Sequence, residues 1–113
     1  MIILIKKISI IGGDLRIVKL SEIIYLEVLD HNLRFVLPGN SITSRITLKE
    51  LDESLRGKGF FRCHKGFSVN LLHVRNVSSA SVVMSNGDEV PVSKHRRREF
   101  LEAYANYIGG GML

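Results

Sequence analysis

Apolar residues that alternate through most of the chain, turns marked by glycine, proline and asparagine, and only two stretches of helical spacing predict a mostly-β domain with two helices, about 47–56 and 94–108. At 113 residues, 45% of them hydrophobic and 24% charged, the chain can bury one core and is too short for two ordinary domains. Residues 1–113 therefore read as a single unit.

Ile3, Ile5, Ile8 and Ile10 are spaced for a β ribbon that Gly12, Gly13 and Asp14 would end, and Leu15 to Leu20 supplies a second strand. After a short turn at Ser21-Glu22, the run Ile23-Ile24-Tyr25-Leu26-Glu27-Val28 is too apolar on both faces for an edge and belongs at a sheet centre. Asp30-His31-Asn32 interrupts it, and Leu33 to Leu37 resumes the strand pattern, giving a hairpin with those polar residues at its tip. Pro38-Gly39-Asn40 turns the chain into a short strand around Ile42 to Ile46. There the period changes. Thr47 and Glu50 have capping-box spacing, Leu48, Leu51 and Leu55 share one helical face, and Gly57 and Gly59 end a helix read as scaffold without a functional role.

The segment FFRCHKGFSVN, residues 60–70, returns to strand, and strict alternation would put Phe61 and Cys63 on one face and Arg62 and His64 on the other. Val74 to Val77, Val82 to Met84 and Val90-Pro91-Val92 are further strands, the last two joined by a hairpin turn at Asn86-Gly87. From Ser93, the expected N-cap, Phe100, Tyr104 and Ile108 recur at four-residue steps until Gly109, Gly110 and Gly111 stop the helix.

Sixteen Lys and Arg against eleven Asp and Glu leave a formal charge of +5 and a pI near 9.7. That balance favours a polyanionic partner, nucleic acid first and an acidic membrane surface second. One cysteine, Cys63, allows no intramolecular disulfide and fits a reducing compartment. The apolar start is cut short by Lys6 and Lys7, no cleavage site follows, and no stretch is long enough to span a bilayer. A cytoplasmic protein without membrane insertion is expected.

Catalysis finds no support. Adjacent strand residues Cys63 and His64 should leave opposite faces, which prevents a nucleophile–base pair. His31, His64, His73 and His95 show no metal-ligand spacing, and neither a phosphate loop nor a serine elbow is present. Asp52, Glu53, Asp88 and Glu89 occupy ordinary helix-surface and turn positions. No enzyme activity, metal or cofactor is expected.

Basic groups cluster in three places. Lys94, His95, Arg96, Arg97 and Arg98 crowd a helix start, where they oppose the macrodipole and a bound phosphate would relieve the repulsion; a solvated charged face is the alternative. Arg62, His64 and Lys65 adjoin a turn at Gly66, either as a phosphate-facing strand or as an ordinary exposed one. His31 and Asn32, with Arg34 nearby, sit on a protruding tip that can reach base edges, although asparagine is equally explained by its tolerance of turn geometry.

Together these segments resemble the LytTR family, the DNA-binding output domains of response regulators, from about Ile5 to Ile108. The resemblance rests on the order of Ile23-Ile24-Tyr25-Leu26-Glu27, the polar tip, the short helix, Phe60 through Asn70, Asn86-Gly87 and Val92-Ser93-Lys94. Gly66 departs from the usual serine, removing one hydroxyl, and Ser68 from the usual apolar residue, a change expected to be absorbed at an edge. What the resemblance implies is an elongated stack of small antiparallel β-sheets with peripheral helices, whose loops enter successive major grooves with a minor-groove crossing between. It implies base reading by His31 and Lys94, with Lys65 over the intervening backbone or minor groove, and Asn32 and Lys65 join them as candidate base readers. Arg34, Arg62, His64, Ser93, His95, Arg96 and Arg97 would contact phosphates. Lys94 stands where relatives carry arginine, and lysine meets guanine O6 and N7 less rigidly. Asn70 reads as structural and Cys63 as packing, with a redox role for the thiol left open.

The expected function is sequence-specific binding of double-stranded promoter DNA, with two copies on direct repeats. The domain would act either as the output of a two-component response regulator or as a standalone regulator under a receiver or inhibitory partner. Rivals are a basic β domain for RNA or single strands and a protein-interaction or membrane-surface module. Single-strand binding needs aromatic platforms, and aromatics are 7% of the chain with no tryptophan.

Overall fold

Ten strands in three antiparallel sheets, two α-helices and three short 3-10 turns make up the described part of the chain, which is residues 15–109 and the backbone of residues 5–9 in a computed structural model. Strands β1 (Ile5–Ser9) and β2 (Leu15–Lys19) form a ribbon. A five-stranded sheet follows from β3 (Tyr25–Leu29), β4 (Asn32–Leu37), β5 (Asn40–Ser44), β6 (Phe60–His64) and β7 (Phe67–Asn70), in the order β5-β4-β3-β7-β6. Strands β8 (Val74–Val77), β9 (Ser81–Met84) and β10 (Glu89–Pro91) complete a three-stranded sheet, order β10-β9-β8. The helices are α1 (Leu48–Leu55) and α2 (Arg97–Gly109). The expected turn at Gly12, Gly13 and Asp14, the strand positions Ile3 and Ile10, and Gly110 and Gly111 lie outside the described residues.

The central place of β3 explains its sequence. Leu26, Leu33, Phe35 and Ile42 face one core, with Val18 and Leu20 and the leucines Leu48, Leu51 and Leu55 of α1. Tyr25, Val36 and Val69 face a second core, with Val82, Met84, Val90, Cys63 and Phe100. A strand covered on both faces cannot alternate apolar with polar, so Ile23 to Leu26 reads as a continuous apolar run, beyond which Glu27 pairs with Arg34 and Val28 is exposed. The layers stack into a body of 46 × 35 × 26 Å, in keeping with the expected elongated, mostly-β architecture.

Asn70 ties the layers. It is 3% exposed; its side-chain amide donates to the carbonyls of Leu20 (3.2 Å) and Ile23 (2.9 Å), and its Oδ1 accepts from the Leu72 amide (3.1 Å). The structural reading of this residue agrees with that geometry.

Several expectations need correction. Asn32 pairs with Leu29 inside the ladder, so the hairpin tip is the two-residue loop Asp30-His31. Asp30 takes the positive φ (53°) such a loop demands, tolerable for a short polar side chain. A bulge between Phe61 and His64 sets Arg62 and Cys63 together against one partner position and breaks strict alternation. Arg62 reaches Asp52 of α1, while the His64 ring lies edge-on to Phe67. Ser68 lies on the inner strand β7 at 2% exposure, not at an edge. Ser93 makes no side-chain cap; a 3-10 turn, Lys94–Arg96, precedes α2, which begins three residues later than expected. Only the start of α2 is buried: Phe100 is covered, whereas Ile108 is 55% exposed.

Candidate nucleic-acid interface

Strand polarity decides which loops meet. Because β3 is antiparallel to both β4 and β7, the Asp30-His31 loop and the Lys65-Gly66 turn between β6 and β7 lie at the same end of the five-stranded sheet. A hydrogen bond from the Val28 amide to the Gly66 carbonyl (2.8 Å) joins the two turns directly. The next segment, Ser93-Lys94, is laid along the outer edge of β6. There the Ser93 amide donates to the Cys63 carbonyl (2.8 Å), and Arg96 Nη1 donates to the Arg62 carbonyl (3.1 Å). His31, Lys65 and Lys94 thus follow one another in a row. At about 4.8 Å between strands, their backbones span roughly 17 Å.

The residues singled out by sequence fall into two groups here. His31 is 93% exposed and touches only Asp30, Nε2 to Oδ1 at 3.8 Å. Lys65, Lys94 and His95 are exposed, and no described residue takes a side-chain hydrogen bond from them. The second group is engaged with the protein itself. Arg34 donates to Glu27 Oε1 through Nε (3.0 Å) and Nη2 (2.7 Å), and its guanidinium lies 5.9 Å from the Tyr25 ring centre. Arg62 Nη2 donates to the Lys65 carbonyl (2.7 Å), bracing the turn, and Nη1 faces Asp52 (3.7 Å). His64 Nδ1 accepts from the Gly66 amide (3.0 Å). Arg97 Nη1 donates to the carbonyls of Ser78 (2.8 Å) and Ser79 (2.6 Å). Asn32 and Ser93 are half-buried within their backbone pairings.

This grouping changes the electrostatic argument about the last helix. Only Arg97 and Arg98 lie in the first turn of α2, and Glu99 there offsets them. Lys94, His95 and Arg96 precede the α-helix, so repulsion from its dipole is smaller than the sequence suggested.

Sequence reasoning missed two features. Tyr25 donates to Asp88 Oδ2 (2.9 Å) while accepting from Arg34 Nη2 (3.4 Å), which pins β3 and β4 to the β9–β10 turn. Burial, with Asp88 beside it, raises the phenol above its ordinary pKa. The partners are 63 residues apart, and no local pattern announces them. The other is Arg45, which leaves β5 opposite the start of β4, because Ser44 pairs with Leu33. Its placement follows only once that pairing is known.

Cys63 is buried, its Sγ lies 3.5 Å from the Pro91 carbonyl, and burial pushes the thiol up to about 12. An aromatic disulfide reagent at pH 8 is therefore expected to leave the native thiol unreacted and to titrate one thiol after denaturation. Rapid native reaction would contradict that burial. Among the described residues no cluster of His, Cys, Asp and Glu could hold a metal, and no helix is long and apolar enough to cross a membrane.

Residues 13–105 match the family described as the LytTr DNA-binding domain. The chain is 27% identical over 94 residues to the sensory transduction protein LytT of Bacillus subtilis, covering 79% of this chain and 39% of that protein. The namesake from Bacillus anthracis is 25% identical over 88 residues, covering 74% and 36% respectively. The chain thus spans less than two fifths of the length of these curated relatives. A solved structure, the LytTr DNA-binding domain of a methyl-accepting/DNA response regulator from Bacillus cereus, superposes with a TM-score of 0.75 at 26% identity, covering 88% of this chain and 94% of that one.

Proposed function

The chain belongs to the family of LytTr DNA-binding domains, and from that premise we propose that it binds double-stranded promoter DNA sequence-specifically as the DNA-reading module of a transcription regulator. The observation that carries the reading is the row of exposed groups, His31, Lys65 and Lys94, at one end and edge of the five-stranded sheet. A minor groove about 6 Å wide can lie under the middle of a row roughly 17 Å long. Extended side chains at its two ends then reach the flanking major grooves. In this arrangement His31 and Lys94 read bases and Lys65 lies over the intervening backbone. Arg96 adds charge toward phosphates, and His95 offers a ring N–H donor beside it.

Arg34, Arg62, His64 and Arg97 act first as braces. Arg62 and His64 hold the Lys65-Gly66 turn, Arg34 ties β4 to β3, Arg97 ties the start of α2 to the β8–β9 connection, and guanidinium donors left over remain available to phosphate. Two copies on a direct repeat would raise avidity without further contacts. The similarity to LytT proteins, which are longer, supports a role in two-component signalling in the cytoplasm, with a receiver or another partner controlling the module.

Filter binding with duplex DNA, single-stranded DNA and anionic vesicles is the test, followed by selection from a random duplex pool. Tight retention of duplex, displaced only weakly by the other two, and enrichment of a repeated motif are expected. Equal retention of single strands or vesicles would overturn the reading. The lack of stacking platforms argues against single strands: among the described aromatic residues, only Tyr107 is exposed, at 44%.

A further inference from the structure

The geometry points to Arg45 as a further DNA contact and the fourth member of the row, placed beyond the hairpin tip on the side away from Lys94 and directed at backbone phosphates flanking the groove that His31 enters. This inference rests on the duplex-binding reading above and extends its footprint.

Three observations carry it. The ladder pairs Leu33 with Ser44 and Leu29 with Asn32, so the end of β5 emerges beside the Asp30-His31 loop, at the sheet end that also carries Lys65. Strand order then gives a row Arg45, His31, Lys65, Lys94, with Arg45 on the outer side of β4. The second observation is that Arg45 is exposed and none of the described residues pairs with it, unlike Arg34, Arg62, Arg96 and Arg97.

The third is local rigidity. The Ile46 amide donates to Ser44 Oγ (3.3 Å), and Thr47 caps α1, its Oγ1 accepting from the Glu50 amide (3.1 Å) and donating to Glu50 Oε1 (3.0 Å). The corner carrying Arg45 is thereby held on both sides. Glu50 already satisfies the helix start, so the anion partner of this corner is sought by the guanidinium and not by the helix terminus. Arginine suits that role because its planar fork meets two phosphate oxygens at once.

Lengthening the row by one and a half strand spacings adds about 7 Å, roughly two phosphates along a strand. An arginine that neutralises one phosphate contributes about 0.9 to the slope of log affinity against log salt.

The test uses the full 113-residue chain, wild type and Arg45→Gln, with a selected duplex and with the same duplex trimmed by about three base pairs beyond the His31-proximal end. Anisotropy titrations between 50 and 200 mM salt read the affinities. On the long duplex Arg45→Gln should flatten the slope by about one ion, so that it loses about 3.5-fold less affinity over that range than wild type. On the trimmed duplex the two proteins should converge, and Arg45→Lys should retain part of the wild-type slope. An unchanged slope on the long duplex overturns the contact while leaving duplex binding intact. An equal loss on both duplexes overturns it too, since the charge would then act only through the general field. Failure of the wild type to prefer duplex over single strands removes this inference together with the reading beneath it.

Discussion

Asn70→Ala is expected to lower the free energy of unfolding by about 2–4 kcal/mol, because alanine leaves one buried carbonyl without a donor, takes from a second carbonyl one of its two donors, and leaves one amide without an acceptor. The orphaned carbonyl is that of Ile23, in the segment entering β3; that of Leu20 keeps the Ile23 amide (3.1 Å), and the amide left over is that of Leu72 in the next 3-10 turn. Water cannot easily replace the lost partners at a residue 3% exposed. In urea the midpoint should fall by about 1–2 M with the slope unchanged. Asn70→Asp should be worse, since a carboxylate oxygen would face both carbonyls. A loss below about 1 kcal/mol for alanine would show that these bonds are replaced after mutation.

His31→Ala and Lys94→Ala should behave in the opposite way, leaving stability almost untouched and weakening specific binding. Both side chains are exposed, and neither holds another element in place. Each substitution should cost about 1–3 kcal/mol on the selected duplex and bring affinity for a scrambled duplex closer to it. The two share no partner, so their effects should add within about 0.5 kcal/mol. Competition binding of both variants against selected and scrambled duplexes measures this. Undiminished discrimination in both would remove them as base readers.

The strands and both hairpins were legible because each is written in neighbouring residues. Asn86-Gly87, expected as a two-residue turn, nevertheless belongs to the three-residue loop Ser85-Asn86-Gly87 that the Met84 amide closes on the Asp88 carbonyl (2.8 Å). The continuous apolar run from Ile23 to Leu26 even reported that the start of β3 is covered on two sides, as its two cores confirm. What stayed hidden depends on which strand lies beside which. The bulge at Arg62-Cys63 alters the faces of β6 without changing a residue type, so the alternation argument placed Arg62 and His64 together when they separate. Ser68 looked like an edge residue because nothing local shows that β7 sits between β3 and β6.

The cationic residues show the same limit. Their identity was readable, but not whether a carbonyl or a carboxylate elsewhere already holds each one. Arg97 reaches back to Ser78 and Ser79 across the chain, and Arg34 joins a network that ends on Asp88. Serine at position 93 matched an N-cap by type, yet its amide serves β6 while its hydroxyl caps nothing.

The short loop at Asp30-His31 also has a kinetic side. Both of its flanks are locked into ladder pairs, and the Val28 amide secures it to the neighbouring turn. Such a finger surrenders little conformational freedom when it docks, so encounters need not wait for a loop to order itself. Speed of capture is then governed by long-range attraction between a basic surface and a polyanion, and residence time by the close contacts made afterwards.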